Sequence, residues 1–110
     1  MTELKLVAAG LVPASKATAY TVPTGKALTL KAISMVNTNA AAARLVNVYI
    51  KPVGGSSLRI WPKDFSLAGG ASHADTISWC LSAGDIIEWD ATGGGTDVDG
   101  VISGIVVQAQ

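Results

Sequence analysis

A chain of 110 residues and 11.2 kDa is one domain's worth, too short for a catalytic domain with a separate binding domain, so the whole of 1–110 is read as a single domain. Apolar residues make up 49% and charged residues 15%, which excludes a disordered tail and supplies a core. Eight bases and eight acids give a net charge of zero, which removes the electrostatic footprint of a sequence-independent nucleic-acid binder.

The chain opens Met1-Thr-Glu-Leu-Lys, without a basic region leading into an apolar run, and no stretch approaches the ~20 apolar residues of a spanning helix. The expectation is a soluble protein made in a cytosol, with no membrane partner. Turn-forming residues then recur every 8 to 12 positions or so between short alternating or apolar blocks, the spacing of an all-β sandwich or barrel. Strands are predicted in chain order at Leu4–Ala9, Thr18–Val22, Ala27–Asn37, Leu45–Lys51, Ser57–Trp61, Thr76–Leu81, Asp85–Ala91 and Val101–Gln108. Pro23-Thr-Gly25-Lys26 is a turn with a mechanism, since proline fixes φ and glycine supplies a positive φ, and it is expected to join two antiparallel strands. Asn37-Thr-Asn39 with Ala40–Ala43 is too short for a helix and reads as a hairpin loop. The glycine-rich run 91–100 reads as a flexible loop before the last strand. Together these predict a single antiparallel β-sandwich, jelly-roll-like, of about eight strands.

Alternation assigns the inward faces. Leu28 and Leu30, then Val46, Val48 and Ile50, then Ile77, Trp79 and Leu81, then Ile87 and Trp89 alternate with polar or small neighbours and are the predicted core. The strands containing Ile33, Met35 and Val36 and containing Val101, Ile102, Ile105 and Val106 are apolar on both faces. Such a strand is either covered on both sides or part of a subunit interface, so Ile33, Met35, Ile102 and Val106 are candidate interface residues.

Catalytic chemistry finds little support. Ser72, His73 and Asp75 are too close in sequence to form a triad, which is assembled from separate elements, and the single histidine reads as a solvated loop residue. Cys80, the only cysteine, excludes an intrachain disulfide and reads as a small hydrophobe. Asp97 and Asp99 have the alternate spacing that begins a calcium loop but lack its third acid and its later glutamate. Gly54-Gly-Ser-Ser57 lacks the lysine and helix start of a phosphate cradle. No metal and no cofactor is expected. Trp61 differs from the two alternating tryptophans: it follows Arg59-Ile60 and precedes Pro62 where the chain leaves a strand, the composition of an exposed interface anchor, so Trp61 and Arg59 join the candidate interface.

The charges are segregated along the chain. Every lysine and arginine lies at or before Lys63, opposed there only by Glu3, while residues 64–110 hold seven acids and no base. If the halves form different edges of the fold, one copy's basic side, Arg44 and Arg59 included, can meet the next copy's acidic side head to tail; if they interleave, the charges pair within one subunit.

The runs Ala19–Lys26, Leu30–Asn37, Val46–Ile50, Phe65–Gly70 and Leu81–Ile87 together resemble small β-sandwich proteins of tailed-bacteriophage virions, which occur as head decoration or spike proteins and as fibre or tail accessory modules. The resemblance spans almost the whole chain and rests on turn and strand signatures rather than catalytic motifs. It implies a non-enzymatic virion structural protein made in the host bacterial cytoplasm. Such a protein would be a homotrimer that acts as a decoration or cement protein on the major capsid protein or another virion protein, or else a fibre module that binds a cell-surface glycan.

Overall fold

Strands of this chain pair first with last. The computed structural model describes residues 4–92 and 97–108, and within them the chain forms β1 (Leu4–Leu11), β2 (Ala17–Thr21), β3 (Lys26–Asn37), β4 (Arg44–Lys51), β5 (Leu58–Arg59), β6 (Phe65–Leu67), β7 (Ser72–Ser82), β8 (Ile86–Thr92) and β9 (Val98–Gln108), with no helix. β1 pairs with β9, β2 with β8, β3 with β7, and β4 with the short β5 and β6, all antiparallel. The β3–β9 and β4–β8 ladders fold this nested hairpin into two sheets: sheet A in the order β1-β9-β3-β7, and sheet B in the order β2-β8-β4-β5 with β6 also on β4. Nested pairing rolled into two facing sheets is the jelly roll, as the strand spacing predicts. All eight predicted strands are present; the ninth, Phe65–Leu67, is three residues long and gives no alternation to read.

Because the nested hairpin is rolled, most connections cross between the sheets. The Pro23–Lys26 turn therefore links β2 of sheet B to β3 of sheet A, strands that do not pair with each other, and residues 38–43 link β3 to β4 of the other sheet and are not the hairpin expected of them. The turn chemistry itself is as read: Lys26 N–H donates to the Pro23 carbonyl at 3.1 Å, and Gly25 has φ +78°. Of the expected flexible loop, residues 93–96 lie outside the described residues.

The core is filled from both sheets by Val12, Val22, Leu28, Leu30, Ile33, Met35, Val46, Val48, Ile87, Val98 and Ile102, each essentially without exposure. β3 stays buried along its length because its phase changes once. Leu28 and Leu30 face inward, the register shifts between Leu30 and Ala32 against both neighbours, and Ile33, Met35 and Asn37 then face inward. Two glycines of β9 let the layers close. A Cβ on Gly100 would stand 2.7 Å from the Trp89 ring, and one on Gly104 would stand 2.6 Å from the Thr29 carbonyl oxygen.

Five expectations are corrected here. Ile33, Met35 and Ile102 are core residues of their own subunit, because the outward positions of their strands belong instead to Ser34, Val36, Val101 and Ser103; Val106 packs half-buried against the same core. Trp61 is 3% exposed rather than a surface anchor, since the chain after β5 turns inward and seats the indole edge-on against Phe65 and His73. Trp79, expected in the core, is 44% exposed. It has the same parity as the buried Leu81, but the facing strand, β5, is only two residues long and does not reach over it.

Candidate functional site

The two outer faces of the sandwich differ in chemistry, and the difference follows from the register. On sheet A the outward residues align in rows across all four strands: Leu4, Ile105, Thr29, Cys80; Leu6, Ser103, Ala32, Thr76; Ala9, Val101, Ser34, Ala74; and Leu11, Asp99, Val36, Ser72. Among the described residues the charges on this face are Lys31, at the β3 bulge with its ammonium 3.5 Å from Ser78, and Asp99. Leu4, Leu6, Leu11, Val36 and Val101 are large hydrophobic side chains exposed here, Leu4 and Leu6 by more than 60%. A single exposed leucine needs no explanation; five sharing one nearly uncharged sheet face is the signature of a surface that is covered in use.

Sheet B turns a bonded polar network outward. Asp90 and Asn47 are buried on this face, with the Asn47 amide donating to Asp90 Oδ1 at 2.8 Å and to Asp64 Oδ1 at 3.0 Å. Tyr49 donates its phenol to Asp90 Oδ2 at 2.8 Å, and Arg59 donates to Asn47 Oδ1. Lys16 and Arg59 both lie over the Tyr49 ring, 4.8 and 4.9 Å from its centroid. Lys16 reaches Ser57, which donates to Glu88. Asp64 takes a positive φ of 50° and donates its N–H to Asn47 Oδ1, so Asn47 pins the β5–β6 connection over the sheet. Burial, and next the bond to Asp90, hold the Tyr49 phenol above its ordinary range.

At one end of the sandwich the loops are tied together. Arg44 donates Nε–H to Asp97 Oδ1 at 3.0 Å and Nη2–H to Oδ2 at 2.8 Å, Asn39 donates to the same Oδ2 at 3.2 Å, and Thr38 donates to the Asp97 carbonyl. Arg44 is therefore spent inside its own subunit, and the head-to-tail role expected of it is corrected: the two oppositely charged halves interleave strand by strand. Both Asp97 oxygens are occupied by side-chain donors, so the spacing of Asp97 and Asp99 does not form a cation loop. The hydrogen bonds from Arg44 hold the Asp97 carboxyl below the ordinary carboxylate range. A depressed folded value contributes stability that is complete above the ordinary carboxylate pKa and is lost as pH falls through the folded value. The stability difference between the wild type and Asp97→Asn should accordingly be constant above pH ~6 and shrink between about pH 5 and 2 in urea titrations. A difference independent of pH would show that the pair does not act through charge.

Ser72 faces outward on β7 while His73 faces inward against Trp61 and Phe65, with ring centroids 4.9 and 4.5 Å apart, and His73 Nε2 is 3.5 Å from Asp75. Ser72 thus lies on the opposite face of β7 from the adjacent pair His73 and Asp75, and the three do not converge. Among the described residues no group of three metal-ligating side chains forms.

A groove of about 540 Å³ lies at the open edge of the sandwich between β7 and β5, lined by Ile50, Pro52, Leu58, Arg59, Ile60, Trp79, Cys80, Leu81 and Asp85. Sequence reading placed Arg59 at an interface, and Arg59 does line this groove. It missed the groove itself, because a groove arises where one sheet is shorter than the other, which alternation does not report.

No protein-family profile matches the sequence, and no curated protein matches it. Solved structures do match in fold. The chain is similar to the Drosophila NLP core, a structure described for its pentamer formation and histone binding, at 15% identity over 94% of this chain and 100% of that one, with a TM-score of 0.56. It is similar at 11% identity to a chain of the acid-stable capsid of Helicobacter pylori bacteriophage KHP30, over 99% of this chain and 93% of that one, with a TM-score of 0.56. It is also similar at 9% identity to a chain of the infectious bursal disease virus T13 particle, of which the match covers only 31%, with a TM-score of 0.58.

Proposed function

We propose that this chain is a structural protein of a virus particle that acts by binding, most specifically a head decoration or cement protein that docks on the assembled capsid and stabilises it. Its partners are other copies of itself, as a homotrimer by the resemblance described above, and the major capsid protein or another virion protein. It is made in the host bacterial cytoplasm and resides in the virion. A jelly roll hosts many roles, so the weight falls on the surface. The observation that carries the reading is the four-strand, nearly uncharged outer face of sheet A. The similarity to a phage-capsid chain of comparable length adds support.

A protein that binds the mature lattice better than the dissociated subunits stabilises the shell by mass action, more so at higher concentration. The test is add-back. Purified protein given to particles that lack it should co-sediment saturably and raise the temperature at which the particles release their genome. Particles that neither bind the protein nor change in stability would overturn the reading.

A fibre module binding a cell-surface glycan is favoured by one observation, the half-exposed Trp79 beside Arg59 and Asp85 in the edge groove, since an indole can stack on a sugar ring. Saturable tryptophan-fluorescence quenching by free oligosaccharides, lost in Trp79→Ala, would establish that reading instead.

A further inference from the structure

Two apolar patches remain without partners in a single copy, and they lie on perpendicular sides of the sandwich. One is the outer face of sheet A, richest in exposed leucine along its β1 edge at Leu4 and Leu6. The other is the edge groove at the opposite side, where Leu58 and Trp79 are 59 and 44% exposed. Seven of the nine exposed large hydrophobic side chains among the described residues lie on these two patches, the exceptions being Leu45 and Val53.

We infer that the two patches are complementary: the edge groove of one copy seats on the sheet A face of the next, so that the chain assembles head to tail into a small closed ring. The occupant of each patch is a second copy of this chain. The inference rests on the proposed function in that the same sheet A face carries both, and it assigns that face to a second copy of the chain.

The arrangement has three supports. Each patch carries one base and one acid, Lys31 and Asp99 on the face and Arg59 and Asp85 at the groove, so neither patch has a net charge that would repel the other. Geometry then favours closure. When a heterologous contact joins surfaces whose normals are at a right angle, about four copies complete a turn, and a tilt of about 30° either way gives between about three and six. The trimer expected by resemblance falls in this range.

Area supplies the third. Four strands about 4.8 Å apart over about ten residues present roughly 600 Å², and an edge two sheets deep, about 10 Å, presents roughly 300–400 Å² over a similar length. One contact therefore buries roughly 800 Å² in total, less than the roughly 1,200–2,000 Å² of a stable pair. An isolated pair is weak, and the ring holds because closure gives every copy a second contact at high effective concentration. Assembly is then all-or-none, with few open intermediates.

The test uses two variants at exposed sites, Leu6→Glu on the face and Leu58→Glu at the groove, in sedimentation velocity. Wild type should sediment as a closed multiple of 11.2 kDa at micromolar concentration, and each variant alone as a monomer. Because each variant keeps one intact patch, mixing them 1:1 at about 100 µM should produce a species of twice the monomer mass that neither forms alone at that concentration; this pairing also shows that both variants are folded. A ring that survives Leu58→Glu but not Leu6→Glu would mean that two sheet A faces pack on each other, and would overturn the inference. A monomeric wild type, or variants that do not complement, would overturn it too. All of these are read on the free protein, so they leave the add-back test on particles separate.

Discussion

Trp89→Ala should lower the free energy of unfolding by about 3–5 kcal/mol, a large share of the roughly 5–15 kcal/mol that holds a domain of this size. Trp89 rises from the middle of sheet B and is 5% exposed. Its ring reaches across to sheet A, where it lies over Gly100, so closely that a Cβ there would come within 2.7 Å of the ring and 2.8 Å of Val12. Truncation leaves a void that the two rigid layers cannot collapse to fill. Urea titration should show a lower midpoint with an unchanged slope. Gly100→Val should also destabilise, by about 1–3 kcal/mol from overpacking, and the double variant should lose less than the sum of the two because the valine occupies the vacated space. Strict additivity would show that the indole and the glycine do not fit each other as described.

The second large effect is expected at Asn37, which is wholly buried at the end of β3. Its amide donates to the carbonyl oxygens of Ala42, Leu67 and Ala68 at 2.8, 3.0 and 3.3 Å, and its Oδ1 accepts from Asn39 N–H at 3.0 Å. One side chain thus joins the β3–β4 loop to the β6–β7 turn, where the chains approach so closely that a Cβ on Gly69 would stand 2.7 Å from the Ala40 carbonyl oxygen. Asn37→Asp keeps the shape but replaces two N–H donors, shared among three carbonyl oxygens, with a carboxylate facing the same three oxygens, at a cost of about 3–5 kcal/mol when ionised. Protonation would restore a donor, so the loss should be smaller at pH 4 than at pH 7, as read by thermal melts at both. A variant as stable as the wild type at pH 7 would remove Asn37 from its place as the tie between these loops.

The sequence makes the sandwich legible because alternation and turn chemistry are local. Leu28, Leu30, Val46, Val48, Leu81, Ile87 and Trp89 are all buried where period two places them. What is lost is the extent of the opposing layer. Trp79 keeps the inward parity of Leu81, yet it is exposed because β5 stops short of it. Trp61 reads as a surface residue before a proline, yet the chain returns beneath the sheet edge and buries it, leaving its indole N–H the one buried side-chain polar atom without a hydrogen bond among the described residues. Asn37 carries its signal in the sequence, since a polar residue at the inward parity of Ile33 and Met35 needs partners.

The charge split has its explanation in topology. Nested pairing lays β1, β2 and β3 of the basic half against β9, β8 and β7 of the acidic half, so attraction between the halves favours the long-range pairings of one copy. Arg44 with Asp97, and Lys16 through Ser57 to Glu88, are where this is seen directly. On the inference drawn above, association between copies is left to the apolar patches.

Electron cryomicroscopy of the particle that carries this chain tests the central claim most directly. The account predicts density for the jelly roll at a regular position on the capsid surface, with the Leu4 and Leu6 face of sheet A buried against a neighbouring subunit and the polar face of sheet B turned to solvent. Particles without such density, or with sheet A facing open solvent, would contradict it.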